Sequence, residues 1–475
     1  MRKLIENRFG LLALVVVALV AIYGVALASR PPQVPAKIAD PRRVTVQAVS
    51  AVCPDPGGAT LSVVTPPAAQ RASGLAKVTE IGTDKPLTTR DVPGDLWQKE
   101  LDDKSKAVRI DAAGDMAAGL EAAQTSRATS GAGRGLAGTR CVEPGAAAWF
   151  VGPGPASADT TLYLDNIDEA PANVSIMLYA GEGPVLSDRG NGMVLRPGEH
   201  REVDLKTLAP SPLVMAVSIT TATGRVTAAI KEEVTGGGVD WLPLAAEPAK
   251  TVVVPGIPAV AGRRELYVAV PGEEDTVVSV KAVLKDGSYA LKNRESLDVP
   301  AGSTTTFDLS TGLTGQPASL VLTADRPIVA GLKITGTGAK PDVAFTAGAP
   351  PIDIGSVVAD NRNSDKDHVT RLVLSAPFKA AKVRLQLLPR DGTPLPDPTE
   401  VDLPAARTKE IKLTGPKGGF GVLVLPEPGS GPVYGGRSLE ESTKQGLLIT
   451  AQPLALARIW ALVPPVVPSP EVVLP

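Results

Sequence analysis

Beyond residue 40, apolar side chains recur at alternate positions in runs of four to eight residues, with Gly, Pro, Asn or Asp between the runs. Period two is the mark of a strand with one buried face, and short runs separated by turn residues predict an antiparallel all-β chain. RVTVQAV at 43–49 and the run at 60–64 open the series, and NVSIMLY at 173–179, LVMAVSI at 213–219 and RVTAAI at 225–230 continue it. Residues 86–106 are polar and charged and read as a surface excursion. ATSGAGRGLAG at 128–138 reads as a flexible loop or a glycine-tolerant strand.

One segment breaks the pattern. Residues 9–28, FGLLALVVVALVAIYGVALA, carry no charge, and at ~1.5 Å per residue a helix of that length spans roughly 30 Å, the thickness of a bilayer's hydrocarbon core. Arg2, Lys3 and Arg8 precede it, which by the positive-inside rule keeps the N-terminus cytoplasmic and the C-terminal ectodomain outside. Ala26-Leu27-Ala28 also fits a signal-peptidase site, and cleavage after Ala28 would release a secreted chain. The length favours a retained signal anchor, since signal h-regions run ~7–15 residues. Either reading exports the chain beyond Ala28.

The strands also repeat. Tyr163, Tyr267 and the run at 371–374 open three stretches with the same strand–turn–strand order, and Leu205, Leu309 and Leu413 lie 104 residues apart. A period near 100 residues with about seven short strands fits an immunoglobulin-like β-sandwich. The fold expected is an all-β ectodomain of tandem sandwiches behind one transmembrane helix. Its divisions are a basic N-terminus (1–8), the anchor (9–28), a Pro-rich stalk (29–42), a β-rich N-terminal domain (43–158), three sandwich repeats (159–250, 251–358, 359–463) and a Pro-rich tail (464–475).

Composition narrows the chemistry. The formal net charge is −2, which gives no basic field for nucleic acid. Aromatics are 3% of the chain, so cores rest on Val, Leu, Ile and Ala. The two cysteines, Cys53 and Cys141, both follow the anchor, and in an oxidising compartment a lone pair is most simply a disulfide. Two free thiols or a metal pair are the rival readings, and the only histidines, His200 and His368, lie far from either cysteine in sequence.

No catalytic motif emerges. His200 lies in PGEHR at 197–201, which reads as a solvated turn without a nucleophile elbow. The glycines at 131, 133 and 135 do not link a strand to a helix, so they make no phosphate cradle. NRNSDKD at 361–367 sets oxygen side chains at alternate positions, as calcium loops do, but Lys366 and Leu372 stand where an EF-type loop needs Gly and Glu. Asp165, Asp168 and Glu169 are close in sequence, and paired carboxylates could serve glycoside cleavage. Trp97, Trp149, Trp241 and Trp460 are too scattered to mark a sugar groove; packing is the better use for Trp149 and Trp241.

Several short stretches resemble a known family: Val52-Cys53-Pro54, Arg140-Cys141, Trp149-Phe150-Val151-Gly152, Leu164-Asp165-Asn166, Gly224-Arg225-Val226, Asp240-Trp241, Val254-Pro255-Gly256 and Asp325-Arg326-Pro327-Ile328. Together, over residues 43–350, they resemble an actinobacterial family of membrane-anchored exported proteins of unknown function. The resemblance implies location and a β-rich ectodomain, and it implies no reaction, cofactor or metal. The expectation is a non-enzymatic, membrane-tethered scaffold or interaction module of the cell envelope. Its partners would be the lipid bilayer, through the helix, and envelope proteins or cell-wall polymer, with no nucleic acid. A carbohydrate-binding ectodomain is the alternative, and a secreted hydrolase comes third.

Overall fold

In a computed structural model, residues 8–28, 40–68, 73–83, 85–131, 133–260, 262–292, 295–313, 315–390, 393–416 and 418–464 are described. Most of the Pro-rich stalk and tail, and the turn at 391–392, lie outside them. The chain divides into two units, Met1–Val44 with Leu462–Pro475, and Thr45–Ala461. In the first, Arg8–Ala28 is one continuous α-helix. Its stretch Phe9–Ala28 is long and apolar enough to cross a membrane, with mean hydropathy 2.9 and no part of it buried against protein. Arg42–Thr45 and Trp460–Val463 pair as a two-stranded sheet.

The Thr45–Ala461 unit consists of four β-sandwiches, each made of two antiparallel sheets. The first shows the plan most simply. Its eight strands are Ala48–Cys53, Ala59–Val64, Gly74–Glu80, Pro86–Arg90, Trp97–Glu100, Val108–Gly114, Glu121–Ala128 and Gly135–Arg140. Numbered in chain order, they form one sheet in the order 1-6-3-4 and another in the order 5-2-7-8. The second sandwich runs from Ala147–Pro153 to Val239–Leu242, the third from Ala249–Ile257 to Val343–Ala347, and the fourth from Ser356–Asn361 to Gly446–Pro453. All keep the same order. Two variations occur. In the second and third sandwiches two short strands share the fourth position. In the third, strands six and seven are the two halves of the single strand Ala318–Thr335, which pairs in both sheets.

Alternation in sequence becomes alternation in burial. Along Ala172–Ala180 buried and half-buried residues alternate without a break, and along Thr276–Val283 buried residues alternate with exposed ones up to the last position. The inward set (Val174, Ile176 and Leu178 in the second sandwich, Val278, Val280 and Ala282 in the third) forms the core between the two sheets. A fully buried side chain of this size contributes about 1.5–3 kcal/mol. Leu205, Leu309 and Leu413, the residues of the 104-residue interval, are all buried at the end of the fifth strand.

Several sequence expectations need correction. The region 43–158 is not a separate kind of domain, because its strand order makes it a fourth copy of the sandwich. Its boundary moves as well. Ala147–Pro153 pairs with Val214–Thr223 and so belongs to the second sandwich. The divisions at 250/251 and 358/359 fall inside the strands Ala249–Ile257 and Ser356–Asn361. The first strand of each copy escapes the sequence pattern because it ends in an unbroken buried run and shows no alternation; Ser356–Asn361 is buried at every position. The supposed excursion at 86–106 contains the strands Pro86–Arg90 and Trp97–Glu100, whose polar residues are tolerated on half-exposed sheet edges.

The four sandwiches close into a ring. Ala137 of the first packs on Tyr163, Ala229, Val239 and Trp241 of the second. Val151 and Ala216 of the second pack on Tyr267, Ala269 and Val329 of the third. The third and fourth cross at Gly256 and Gly436: a Cβ on Gly256 would stand 2.6 Å from the Gly436 Cα, a contact only glycine permits. Val357, Ala359 and Leu388 of the fourth then pack on Val64, Leu96 and Ala123 of the first. Each sandwich thereby hides one sheet's outer face against its neighbour, and no terminal sandwich is left with that face open. The eighth strands, Gly135–Arg140, Val239–Leu242, Val343–Ala347 and Gly446–Pro453, each pack against the next, and the last packs against the first.

Candidate functional site

Two polar clusters stand out, and both lie between sandwiches. The first is on the ring's axis, where the eighth strands meet. Asp240 Oδ1 accepts hydrogen bonds from Gly138 N at 3.0 Å and Thr450 Oγ1 at 2.9 Å. Asp342 Oδ2 accepts from Leu136 N at 3.0 Å and Ile449 N at 2.9 Å. One carboxylate from the second sandwich and one from the third therefore each bind both the first and the fourth, which joins the ring's two ends. Small residues make room for this: a Cβ on Gly238 would overlap Asp342 Oδ1, and one on Gly135 would stand 2.7 Å from it. Burial holds the Asp240 carboxyl well above its ordinary range and pushes Asp342 up to about 7, against the N–H bonds that favour the charged form. Beside them the side chain of Arg437 is buried, and burial lowers its pKa. Further contacts reinforce the closure. Thr125 donates to Asp360, and Arg127 forms a bidentate pair with Glu441, its Nε standing 2.7 Å from Oε2.

The second cluster lies where the first sandwich meets the second. Cys53 ends the first strand and Cys141 follows the eighth; a disulfide joins them inside the core of the first sandwich. Two residues on, Asp55 Oδ2 accepts from Lys231 Nζ at 2.9 Å and from the Tyr163 hydroxyl at 3.3 Å. The Lys231 ammonium stands 5.5 Å from the centre of the Trp241 ring, and burial, then the Asp55 charge, raises the Tyr163 phenol. On the same sheet face Asp165, fully buried, holds His200 Nδ1 at 2.6 Å and accepts from Thr227 Oγ1 at 3.1 Å. The bond to Asp165 raises the His200 pKa, with burial opposing it.

His200 is therefore not in a solvated turn. It opens the strand His200–Asp204, directly opposite Asp165 in the register. Sequence reasoning missed the pair because its partners lie 35 residues apart and meet only through strand pairing. A histidine oriented by a buried aspartate resembles part of a hydrolytic triad. Its other nitrogen, however, faces Glu202 at 3.6 Å, and no serine, cysteine or threonine hydrogen-bonds that nitrogen among the described residues. Asp168 is occupied elsewhere, in a bidentate pair with Arg225.

The calcium-like stretch spends polar side chains on contacts with the backbone. Asn361 is buried and donates to Val358 O and Phe420 O, Asn363 Oδ1 accepts from Gly415 N, and Asp365 accepts from the N–H groups of Asp367 and His368. Among the described residues no group of three or more His, Cys, Asp or Glu side chains is placed to hold a metal ion. Trp241 is buried, and Trp149 is half-buried and stacks on Tyr179 with ring centres 5.7 Å apart. Trp97 and Trp460 are half-buried as well.

Fold and clusters together define a class: a β-sandwich ring whose buried polar chemistry ties one sandwich to the next, preceded by an apolar helix. Residues 97–414 match the model of DUF5719, a family of unknown function, and the chain belongs to that family. No curated protein matches the sequence. Among solved structures, an anti-sigma factor domain-containing protein from Clostridium clariflavum is 11% identical, over 83% of this chain and 100% of that one, with a TM-score of 0.12. A likeness that slight carries no argument.

Proposed function

We propose that this is a non-enzymatic, membrane-tethered protein of the extracytoplasmic envelope, in which the sandwich ring is a rigid scaffold or interaction module. The orientation follows from the basic residues ahead of the apolar helix, and the actinobacterial origin suggested by the resemblance goes with this reading. The observation that carries it is the use made of the polar groups. Asp55, Asp165, Asp240, Asp342 and Arg127 are all engaged in strand pairing or in contacts between sandwiches. An enzyme instead keeps such groups facing a cleft where substrate can reach them. Envelope proteins or cell-wall polymer are the partners this reading expects, and it assigns no cofactor.

The test is chemical cross-linking and affinity capture of the full chain from its own membranes, with the purified protein assayed in parallel on peptidoglycan, glycan and ester substrates. Specific envelope partners without turnover support the proposal. Turnover that disappears in His200→Gln or Asp165→Asn would overturn it.

A further inference from the structure

The axial cluster contains a cost that the ring's closure does not explain. Arg437 lies on the seventh strand of the fourth sandwich and is 1% exposed, yet its Nε, Nη1 and Nη2 have no hydrogen-bond partner among the described residues. A buried guanidinium is strongly unfavourable unless its donors are used. Unused acceptors occur in the same cluster. Gln452, directly across the strand pair from Arg437, is buried with Oε1 unpaired. Thr450, two residues earlier on the same strand face, donates to Asp240, whose Oδ2 is also unpaired.

We propose that the axis of the ring holds a sealed site for ordered water, in which a few molecules bridge the Arg437 guanidinium to Asp240 Oδ2 and Gln452 Oε1. Water fits because donors and acceptors are left unpaired together; each buried water typically makes about three hydrogen bonds to such groups. A small anion would satisfy the guanidinium alone. It would also have to sit among Asp360, Asp240 and Glu121, all of which act on Arg437, with Arg362 the one further cation in that set. The water would be part of the lock between the ring's ends, since Asp240 joins the second sandwich to the first and fourth.

The test is a crystal structure of the full chain in detergent or lipid at a resolution that shows solvent, with a second crystal soaked in bromide. Density for two or more waters within about 2.7–3.2 Å of the Arg437 nitrogens, at least one also reaching Asp240 or Gln452, supports the proposal. Direct pairing of Arg437 with Asp240 or Asp360 and no solvent between them overturns it. So does anomalous bromide density at the guanidinium, which would make the site an anion site.

Discussion

The first and third sandwiches share one strand order but hold themselves together differently. The third packs Val254, Ile257, Leu266, Val280, Leu320, Leu322 and Leu332 between its sheets and contains no cysteine. In the first, the corresponding space holds fewer apolar side chains, Leu61, Val63, Val78, Leu101, Val108 and Ile110 with Ala51 and Ala122, around the disulfide of Cys53 and Cys141. Fewer buried side chains remove less apolar area from water, so the first sandwich gains less from its core. Constraint of the unfolded chain offsets the deficit. One fold thus tolerates two sources of stability, provided the outer face of each sandwich still meets its neighbour.

The largest expected effect breaks the comparison at the disulfide. The cysteines are 88 residues apart, and the loop-entropy model assigns a closure of that length about 4–5 kcal/mol. Reduction, or Cys53→Ser with Cys141→Ser, should melt the first sandwich ahead of the others, splitting one calorimetric transition into two. A single transition at an unchanged temperature would show that its apolar core suffices. The next effect lies where the two sandwiches touch, at Asp342. Its carboxyl is raised from 3.8 to about 7. The folded value exceeds the unfolded one, so the stabilisation is present below about pH 4 and is lost as the pH rises through 7. The loss is on the order of 4 kcal/mol. Asp342→Asn stays neutral and still offers an oxygen to Leu136 N and Ile449 N. Its melting temperature relative to the parent should climb between pH 5 and pH 8, and a flat difference would count against a buried titrating acid.

The same comparison shows what the sequence discloses. The all-β class, the repeat and the apolar helix are legible because each is a local pattern: period two, an interval of 104, a chargeless run. The kinship of the first sandwich is less visible, yet a trace of it is there. Leu101 lies 104 residues before Leu205, is buried, and directly follows the fifth strand of its own sandwich. A disulfide and a core of fewer apolar residues stand where the other copies have the Val/Leu runs that make them recognisable. The axial and junction clusters are not legible at all, because Asp342 with Leu136 and His200 with Asp165 are brought together by ring closure and strand register. Glycine carries part of that information, since Gly238 and Gly436 mark close approaches that resemble ordinary turn glycines in the sequence.

Leu101 and Leu309 sharpen the contrast further. Truncation of a buried leucine costs about 2–5 kcal/mol, according to how far the site can collapse. Leu309→Ala opens a gap in a core of branched side chains and should fall in the middle of that range, about 3 kcal/mol. Leu101→Ala, in a cross-linked core with fewer apolar residues, should cost roughly 1 kcal/mol less, because fewer packed neighbours leave less contact to lose. Denaturant titration of the two variants measures the difference, and equal losses would mean that the two cores pack alike despite their difference in size.

The smallest effect is at His200, in the second sandwich on the strand that pairs with Ala158–Asp165. The hydrogen bond to Asp165 raises its pKa, helped by the charges of Asp165 and Glu202 and opposed by burial. A histidine whose folded pKa is raised contributes stability that is full below its unfolded value, ~6.5, and that disappears as the pH rises through the folded value. Partial exposure of the ring screens the pair, so the contribution is modest. His200→Gln should therefore lower the melting temperature at pH 6 and change it little at pH 9. Asp342 also titrates over this range, so the reading to take is the difference between parent and His200→Gln at each pH, with Asp342→Asn in both. A deficit that stays constant with pH would mean that His200 acts through its shape in the strand pair, and that its charge has no part in holding that pair together.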